Sequence, residues 1–372
     1  MNIKEIREIR KLYTKDRCSV FRLCGCYVNG EKEKVATFCG GLIGMEDEEL
    51  FKYMELFKKC LSGSLEKNLF NIDIPLDFEL NNDAYKLLAG MRQSGLGNAE
   101  LMELFYDRII ETYDHAGNYM ILVAADTYDV PGRSKLGDTM DDASEEAFTY
   151  VLAVICPVDL AKAGLSFSPD DGWFNAVDRD WIVGVPEAGF MFPAFNDRST
   201  DIHAALVYAK NKDCLQPEMI SALFGSETPV TAEEKKNAFG TVVSEVYGND
   251  FSAETMKTVH EVLSAEEEMI RNEPDLDTQL SKTRVRQLLE KSGADDEQMS
   301  RFDNAYDELL GDDTNVDIEN IYSSRNFTVK NDFVDLRISA DRTDLVSFEE
   351  SGGRKRIIIE LEGPTEVNGV PV

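Results

Sequence analysis

The chain has 372 residues, of which 43% are hydrophobic, so it is long enough to form two or three domains with buried cores. Its 70 acidic and 39 basic residues give a net charge of −31. That charge repels phosphate backbones and anionic lipid surfaces, which argues against nucleic-acid binding. No stretch of about 18 consecutive apolar residues occurs, so no membrane span is expected.

The N-terminal residues indicate a folded amphipathic helix. Ile3, Ile6, Ile9 and Leu12 recur at helical spacing with charged residues between them, which is not the pattern of a signal peptide. The seven cysteines are an odd number scattered along a chain without a secretory signal. We therefore expect reduced thiols, no zinc and a cytoplasmic protein.

The next segments predict a sheet with flanking helices. Asn29-Gly30 is a hairpin signal between two β-rich stretches, residues 19–28 and 34–42. Three helices are expected to follow the hairpin, near residues 46–61, 84–91 and 100–113. Apolar runs without helical periodicity then predict strands at residues 119–125, 148–155 and 181–195. Residues 130–146, between the first two of these strands, are expected to form a long acidic loop, either a functional lid or a solvated excursion.

The chain changes character after about residue 216. Residues 227–319 contain 24 acidic and 9 basic residues, a net charge of −15, and their pattern is helical almost throughout. Two apolar stripes, Met256/Val259/Leu263 and Val285/Leu288/Leu289, must be buried, either inside the protein or against a partner. Short β-rich runs between glycine-containing turns follow Asn320.

These patterns predict an α+β protein. Its expected parts are a mixed sheet with flanking helices in residues 1–215, an acidic helical segment in residues 216–315 and a small C-terminal β-module in residues 316–372.

Several segments resemble a bacterial family known as domain of unknown function 4317. The resemblance covers the whole length and rests on RLCGCYVNGEK, LFKYMELFKKCLSG, YDVPG with the following MDDASEE, ICPVDL and, above all, GFMFPAFNDRSTDIHAALVYAKN. It implies a cytoplasmic bacterial protein, and it implies no activity, cofactor or catalytic residue.

The strongest local signal for a site follows the aromatic run that ends at Phe195. The polar residues there are Asn196, Asp197, Arg198, Asp201 and His203. If a helix begins at Ile202 with Ser199 or Thr200 as its N-cap, Asp201 only complements the helix dipole, and Asp201 and His203 point to different sides. Alternatively, the oxygen-bearing side chains bind Mg²⁺ while Arg198 holds a phosphate or carboxylate.

A second set of carboxylates is expected near the ends of the first two buried strands. Asp126 follows one strand, and Asp141 and Asp142 lie in the acidic loop. Together with Asp197 and Asp201 they are candidate ligands of a divalent cation, although acidic loops are commonly only solvated. No phosphate-binding glycine loop, His-Glu-x-x-His or Gly-x-Ser-x-Gly motif is present.

The leading hypothesis from the sequence is therefore a non-catalytic cytoplasmic interaction or assembly protein. Its partner is expected to be a basic protein, because the negative field of the acidic helical segment favours one. The alternative is a metal-dependent hydrolase of a phosphate-containing small molecule, and only this alternative requires a cofactor, Mg²⁺.

Overall fold

The computed structural model describes residues 1–14, 17–42, 45–133, 139–168, 170, 172–176, 179–272, 278–311, 314–322, 326–351, 354–367 and 370–371. The chain folds into two compact units, Met1–Pro229 and Val230–Val372. Helices and strands are both abundant, with a large sheet in the first unit and small hairpins near the C-terminus, so the predicted α+β class is confirmed. No helix in the described ranges is long and apolar enough to span a membrane.

The first unit is built around one large sheet. Its elements are α1 Ile3–Arg10, β1 Arg22–Val28, β2 Lys34–Gly40, α2 Asp47–Cys60, β3 Leu69–Asp73, α3 Leu76–Asn81, α4 Asp83–Gln93, α5 Ala99–Thr112, β4 Asn118–Arg133, β5 Thr139–Leu160, β6 Leu165–Ser168, β7 Trp173–Ala176, β8 Trp181–Val183, β9 Ala188–Phe192, β10 Ala194–Asn196, β11 Ser199–Asp201, β12 Ala204–Ala209 and α6 Pro217–Phe224. The strand order is β2-β1-β4-β5-β9-β12-β3, with β8 also paired to β5. Neighbouring strands are antiparallel at every pairing, whereas a mixed sheet was expected.

Both faces of this sheet are covered by helices. Along β4, Ile121 and Val123 face a core that includes side chains of α4, α5 and α6, while Leu122 and Ala124 face a second core that includes α1 and α2. A strand buried on both faces needs apolar residues at every position. This double burial explains why β4, β5 and β9 read as continuous apolar runs.

The expected acidic loop over residues 130–146 is largely strand. β4 and β5 extend through most of it as a paired ribbon, down to Arg133 opposite Thr139. The prediction of a loop was wrong because the polar residues in this stretch lack the apolar alternation that identifies a strand. Residues 134–138 lie outside the described part of the chain.

The second unit combines helices with small hairpins. Its elements are α7 Ala232–Tyr247, α8 Ala253–Asn272, β13 Gln279–Leu280, α9 Lys282–Lys291, α10 Asp296–Met299, α11 Phe302–Leu309, β14 Val316–Asp317, α12 Ile318–Ile321, β15 Asn326–Lys330, β16 Asp335–Ser339, β17 Val346–Ser351, β18 Arg354–Ile359, β19 Glu366–Val367 and β20 Val370–Pro371. The two apolar stripes pack into the core of this unit, where Val259, Leu263, Val285, Leu288 and Leu289 are buried. The second unit therefore buries these apolar stripes in its own core.

The boundary between the two compact units lies at Pro229–Val230, within the segment predicted to be acidic and helical. Residues 216–229 contain α6, whose Ile220, Leu223 and Phe224 are buried in a core of the first unit. The small β-strands after residue 316 belong to the same unit as the acidic helices. Lys257 of α8, for example, donates to the carbonyl oxygen of Val346 at the start of β17.

The cysteines depart from expectation at one pair. Cys24 of β1 and Cys39 of β2 are directly opposite in the hairpin register and are joined by a disulfide. The expectation of reduced thiols was wrong for these two, because the hairpin register places both on one face at adjacent positions. Among the described cysteines, Cys18, Cys26, Cys60, Cys156 and Cys214 are free.

Helix α2 packs against the sheet at a glycine, and this contact can be tested. A Cβ atom on Gly189 would lie 2.6 Å from the carbonyl oxygen of Ala153 and 2.6 Å from the sulfur of Cys60. We expect Gly189→Ala to lower the free energy of unfolding by about 1–3 kcal/mol in chemical denaturation, since backbone must move to relieve the overlap. The control Gly40→Ala, with no atom within 4 Å of its added Cβ, is expected to be neutral. Equal stability of both variants would contradict this packing.

Candidate functional site

The predicted polar cluster lies on a tight β-hairpin and not at the start of a helix. β10 and β11 pair with Asn196 opposite Ser199, so Asp197 and Arg198 form a two-residue turn, with φ of 50° and 58°. Both are in the left-handed region that glycine or asparagine usually occupies. The helix expected from Ile202 is instead strand β12, whose six residues are all buried in the large sheet. The helix prediction was wrong because sheet burial on both faces decides the conformation of this segment.

Arg198 anchors the turn to the rest of the first unit. Its Nη2 atom donates to Glu8 Oε1 of α1 at 2.9 Å and to the carbonyl oxygen of Pro131 in β4 at 3.1 Å. Tyr128 also donates to Glu8 Oε1, at 2.8 Å. The side chains of Arg198 and Glu8 are 16% and 24% exposed, so the ion pair is partly withdrawn from water. These contacts hold Arg198 in its unusual backbone conformation.

Glu146 of β5 provides a second anchor for the hairpin. Its carboxylate accepts from Ser199 Oγ at 2.7 Å and from the backbone N–H of Thr200 at 3.1 Å. These hydrogen bonds, the one from Ser199 first, lower the pKa of Glu146 because they favour the charged form. The hairpin is thus attached to β5 as well as to α1 and β4.

Asn196, Asp201 and His203 of the cluster also form hydrogen bonds within the fold. Asn196 Nδ2 donates to Asp201 Oδ2 at 2.6 Å, and the backbone N–H of His203 donates to Asp201 Oδ1 at 3.0 Å. The His203 ring lies 2.7 Å from Glu79 Oε1, and that hydrogen bond raises the pKa of the histidine. Asn196 and Asp201 therefore contact each other, whereas Arg198 pairs with Glu8 and His203 pairs with Glu79.

The candidate cation ligands have different environments. Asp126 lies inside β4 and not at a strand end, and it is buried, accepting from Tyr150 Oη at 2.8 Å and from the N–H of Thr127 at 2.8 Å. Asp197 occupies the hairpin turn, and Asp201 bonds to Asn196. The side chains of Asp141 and Asp142 lie outside the described residues. Within the described ranges, no group of three or more His, Cys, Asp or Glu residues could hold a metal ion.

Asp126 is a buried ionisable group within β4 of the large sheet. Burial raises its pKa, while hydrogen bonds from Ser19, Tyr150 and Thr127 act in the opposite direction. Tyr150 is fully buried as well, and its own pKa is raised well above the ordinary value. The pair supplies a hydrogen bond in the core and is withdrawn from any substrate in solvent.

A surface that sequence reasoning did not identify lies at the other end of β5. β5 and β8 pair with Leu160 opposite Trp181, and β6 and β7 pair with Phe167 opposite Phe174, in the same register. Hydrogen bonds from Ala161 N to Asp180 O (2.8 Å) and from Arg179 Nε to Ala161 O (2.7 Å) join the two ladders. We call this ribbon, residues 158–183, the β-arm.

The β-arm exposes large apolar side chains. Its members that are more than half exposed are Leu165, Phe167, Trp173, Phe174, Trp181 and Ile182. Both tryptophans of the protein are among them, at 69% and 55% exposure for Trp173 and Trp181. The signal available in the sequence was two short β-rich runs, LSFS and WFNA, on either side of Pro-Asp-Asp-Gly, a combination that predicts a hairpin. A cluster of exposed aromatic residues of this kind is typical of an interaction surface.

The role of Arg198 can be tested by substitution. We expect Arg198→Ala to lower the free energy of unfolding by about 1–2 kcal/mol, because it leaves the partly buried carboxylate of Glu8 without its cation. The control Lys86→Ala removes the exposed pair with Asp83 and should cost less than about 0.5 kcal/mol. An unchanged stability of Arg198→Ala, with a Mg²⁺-dependent rise in the melting temperature of the parent that Asp201→Asn abolishes, would instead favour a ligand site.

The burial of Asp126 predicts a pH dependence of stability. The unfolded chain releases this proton at a pKa of about 3.9, whereas the folded chain retains it to higher pH. The folded state therefore binds more protons between the two values, and the contribution of Asp126 to stability falls as pH rises through that window. Asp126→Asn has no such loss.

Denaturation of the parent and Asp126→Asn over a pH series measures this difference. The free energy of unfolding of the variant, minus that of the parent, should rise with pH across the window and then level off. Tyr150→Phe removes a hydrogen bond that favours the charged carboxylate, so it should raise the folded pKa of Asp126 and extend the window to higher pH. A difference that is independent of pH would contradict the assignment.

The comparisons with known proteins give a family and no activity. No curated protein and no solved structure matches the chain. A family model matches residues 1–370, nearly the whole length, as the segments around the β10–β11 hairpin led us to expect. The chain belongs to the family described as domain of unknown function 4317.

Proposed function

We propose that the protein is a non-catalytic interaction or assembly protein that binds a protein partner through the β-arm. The observation that supports this proposal is the cluster of exposed aromatic side chains on a two-stranded ribbon. A ribbon of two strands is marginally stable alone in water, and exposed aromatic clusters of this kind are usually covered in a complex.

The contacts of the β10–β11 hairpin also support a non-catalytic function. Arg198, Ser199 and Asp201 are engaged by Glu8, Glu146 and Asn196, respectively, so these groups serve the packing of α1 and β5 against the hairpin. A catalytic site requires groups that are held ready for a substrate. The alternative, a metal-dependent hydrolase that uses Mg²⁺, is favoured by one observation, namely that the buried Nε of Arg198 has no hydrogen-bond partner among the described residues.

The partner we propose is a basic protein, because a chain of net charge −31 attracts cations over its whole surface. The sequence suggested the acidic helical segment as the docking element. Its apolar stripes are buried within the second unit, so the β-arm of the first unit replaces it in our proposal. We also propose a cytoplasmic location, which the five free cysteines among the seven support.

The proposal predicts which surface a partner needs. We expect the full chain with Trp173→Ser and Phe174→Ser to lose the protein that co-purifies with the parent from its native cells. Both side chains are exposed, so the substitutions should leave folding intact. The matched control is Leu76→Ser with Leu80→Ser, which removes two equally exposed side chains from α3 and should keep the partner.

A different surface would give a different result. If the arm variant keeps the partner and deletion of residues 227–311 loses it, the acidic helical segment is the docking element and the arm is not. Quantitative mass spectrometry of the co-purified proteins, together with circular dichroism of each variant, distinguishes these results.

A further inference from the structure

The chemistry of the β-arm identifies a class of partner, and this inference rests on the proposed function. The outer ladder presents aromatic groups on both of its faces. Phe167 and Phe174 are directly opposite, with ring centroids 5.3 Å apart, so they share one face. Trp173 is adjacent to Phe174 in the strand and therefore points to the other face. An occupant can contact aromatic rings on either side of the ribbon.

Carboxylates accompany these rings along the arm. Residues 158–183 contain five aspartates and two basic residues, a net charge of −3. Asp159 and Asp180 are exposed beside the base of the ribbon, and Asp170 is exposed near its tip. One of the two cations, Arg179, donates its Nε to the arm's own backbone. The arm is thus apolar and anionic at once.

The exposed rings and carboxylates of the β-arm favour a partner of positive charge. A second copy of the chain carries the same net charge of −31 and the same anionic arm, so the two copies repel each other. Anionic bilayers and nucleic acids are repelled for the same reason. Lysine and arginine side chains, in contrast, can pair with the aspartates and also stack over the indole faces of Trp173 and Trp181.

We infer that the β-arm binds a cationic apolar segment of a partner protein, in which lysine or arginine side chains lie beside apolar ones. The apolar side chains cover the phenylalanine and tryptophan rings. The cationic side chains meet Asp159, Asp170 and Asp180.

Intrinsic fluorescence provides a direct test, because both tryptophans of the protein lie on the arm. The probes are two synthetic amphipathic peptides with identical leucine positions, one with lysine and the other with glutamate at every polar position. We expect the lysine peptide to shift the tryptophan emission of the full chain to shorter wavelength in a saturable way. The glutamate peptide should bind at least about tenfold more weakly.

A pair of charge variants separates the arm from the bulk field of the protein. Asp159→Asn, Asp170→Asn and Asp180→Asn together should weaken binding of the lysine peptide by about tenfold. The control neutralises three exposed acids elsewhere, Glu31, Glu48 and Glu49, each to Gln, and changes the net charge equally. It should leave the affinity nearly unchanged. Equal weakening by both variants would overturn the inference, because binding would then follow bulk charge.

Other results identify other occupants. Equal affinity for the two peptides, or no binding of either, overturns the cationic partner. If neither peptide is preferred but Trp173→Ser with Phe174→Ser still abolishes co-purification, the arm binds a protein partner that is not cationic. The proposed function then stands and the cationic partner does not. Concentration-dependent dimerisation that the arm variant abolishes would assign the arm to a second copy. An emission shift with zwitterionic phosphatidylcholine vesicles, but not with the lysine peptide, would assign it to a lipid surface.

Discussion

Strand β5 extends at both ends beyond the stretch that pairs with β9. The β10–β11 hairpin and the β-arm both depend on these extensions. Its 22 residues pair with β9 only over Val151–Ile155, where both of its faces are buried. Before this stretch it continues as a ribbon with β4 and holds the β10–β11 hairpin through Glu146. After it, β5 pairs with β8 and begins the β-arm. The doubly buried centre fixes the direction in which both ends project.

In the polar hairpin, Arg198, Ser199 and Asp201 all form hydrogen bonds within the first unit. Two consecutive non-glycine residues in the left-handed region cost of the order of 1 kcal/mol each. Backbone strain of this kind persists only where surrounding contacts stabilise it. Here the Arg198–Glu8 ion pair and the Glu146 hydrogen bonds supply those contacts, and they come from two elements far apart in the sequence, α1 and β5. These anchoring contacts stabilise the strained turn.

Local patterns in the sequence identified most of the first unit. The Asn29-Gly30 hairpin and the amphipathic helices α2, α4 and α5 follow from periodicity, because each buries one stripe against the sheet. The segment after Asn196 could not be predicted in this way. Its apolar run AALVYA suits a buried helix or a doubly buried strand equally well, and only pairing with β3 and β9 decides between them.

The sequence predicted which residues form the candidate site, but not which residues they contact. Asn196, Arg198 and Asp201 were identified as a polar junction, yet the groups that engage Arg198 and His203, Glu8 and Glu79, are 190 and 124 residues away from them in the chain. Nothing in local spacing encodes such contacts. The β-arm could not be predicted for a different reason: apolar runs such as WFNA occur in both buried and exposed strands, and local spacing does not distinguish the two.

The strong negative charge and the exposed aromatic arm have a common physical explanation. An apolar ribbon that is open on both faces promotes self-association, because two copies could cover each other's rings. Net charge far from zero opposes that association by repulsion between copies. The same field would attract the cationic partner that we propose and raise its rate of encounter. A chain at −31 can therefore keep Trp173 and Trp181 in solvent without aggregating, while the surface stays open to a partner of opposite charge.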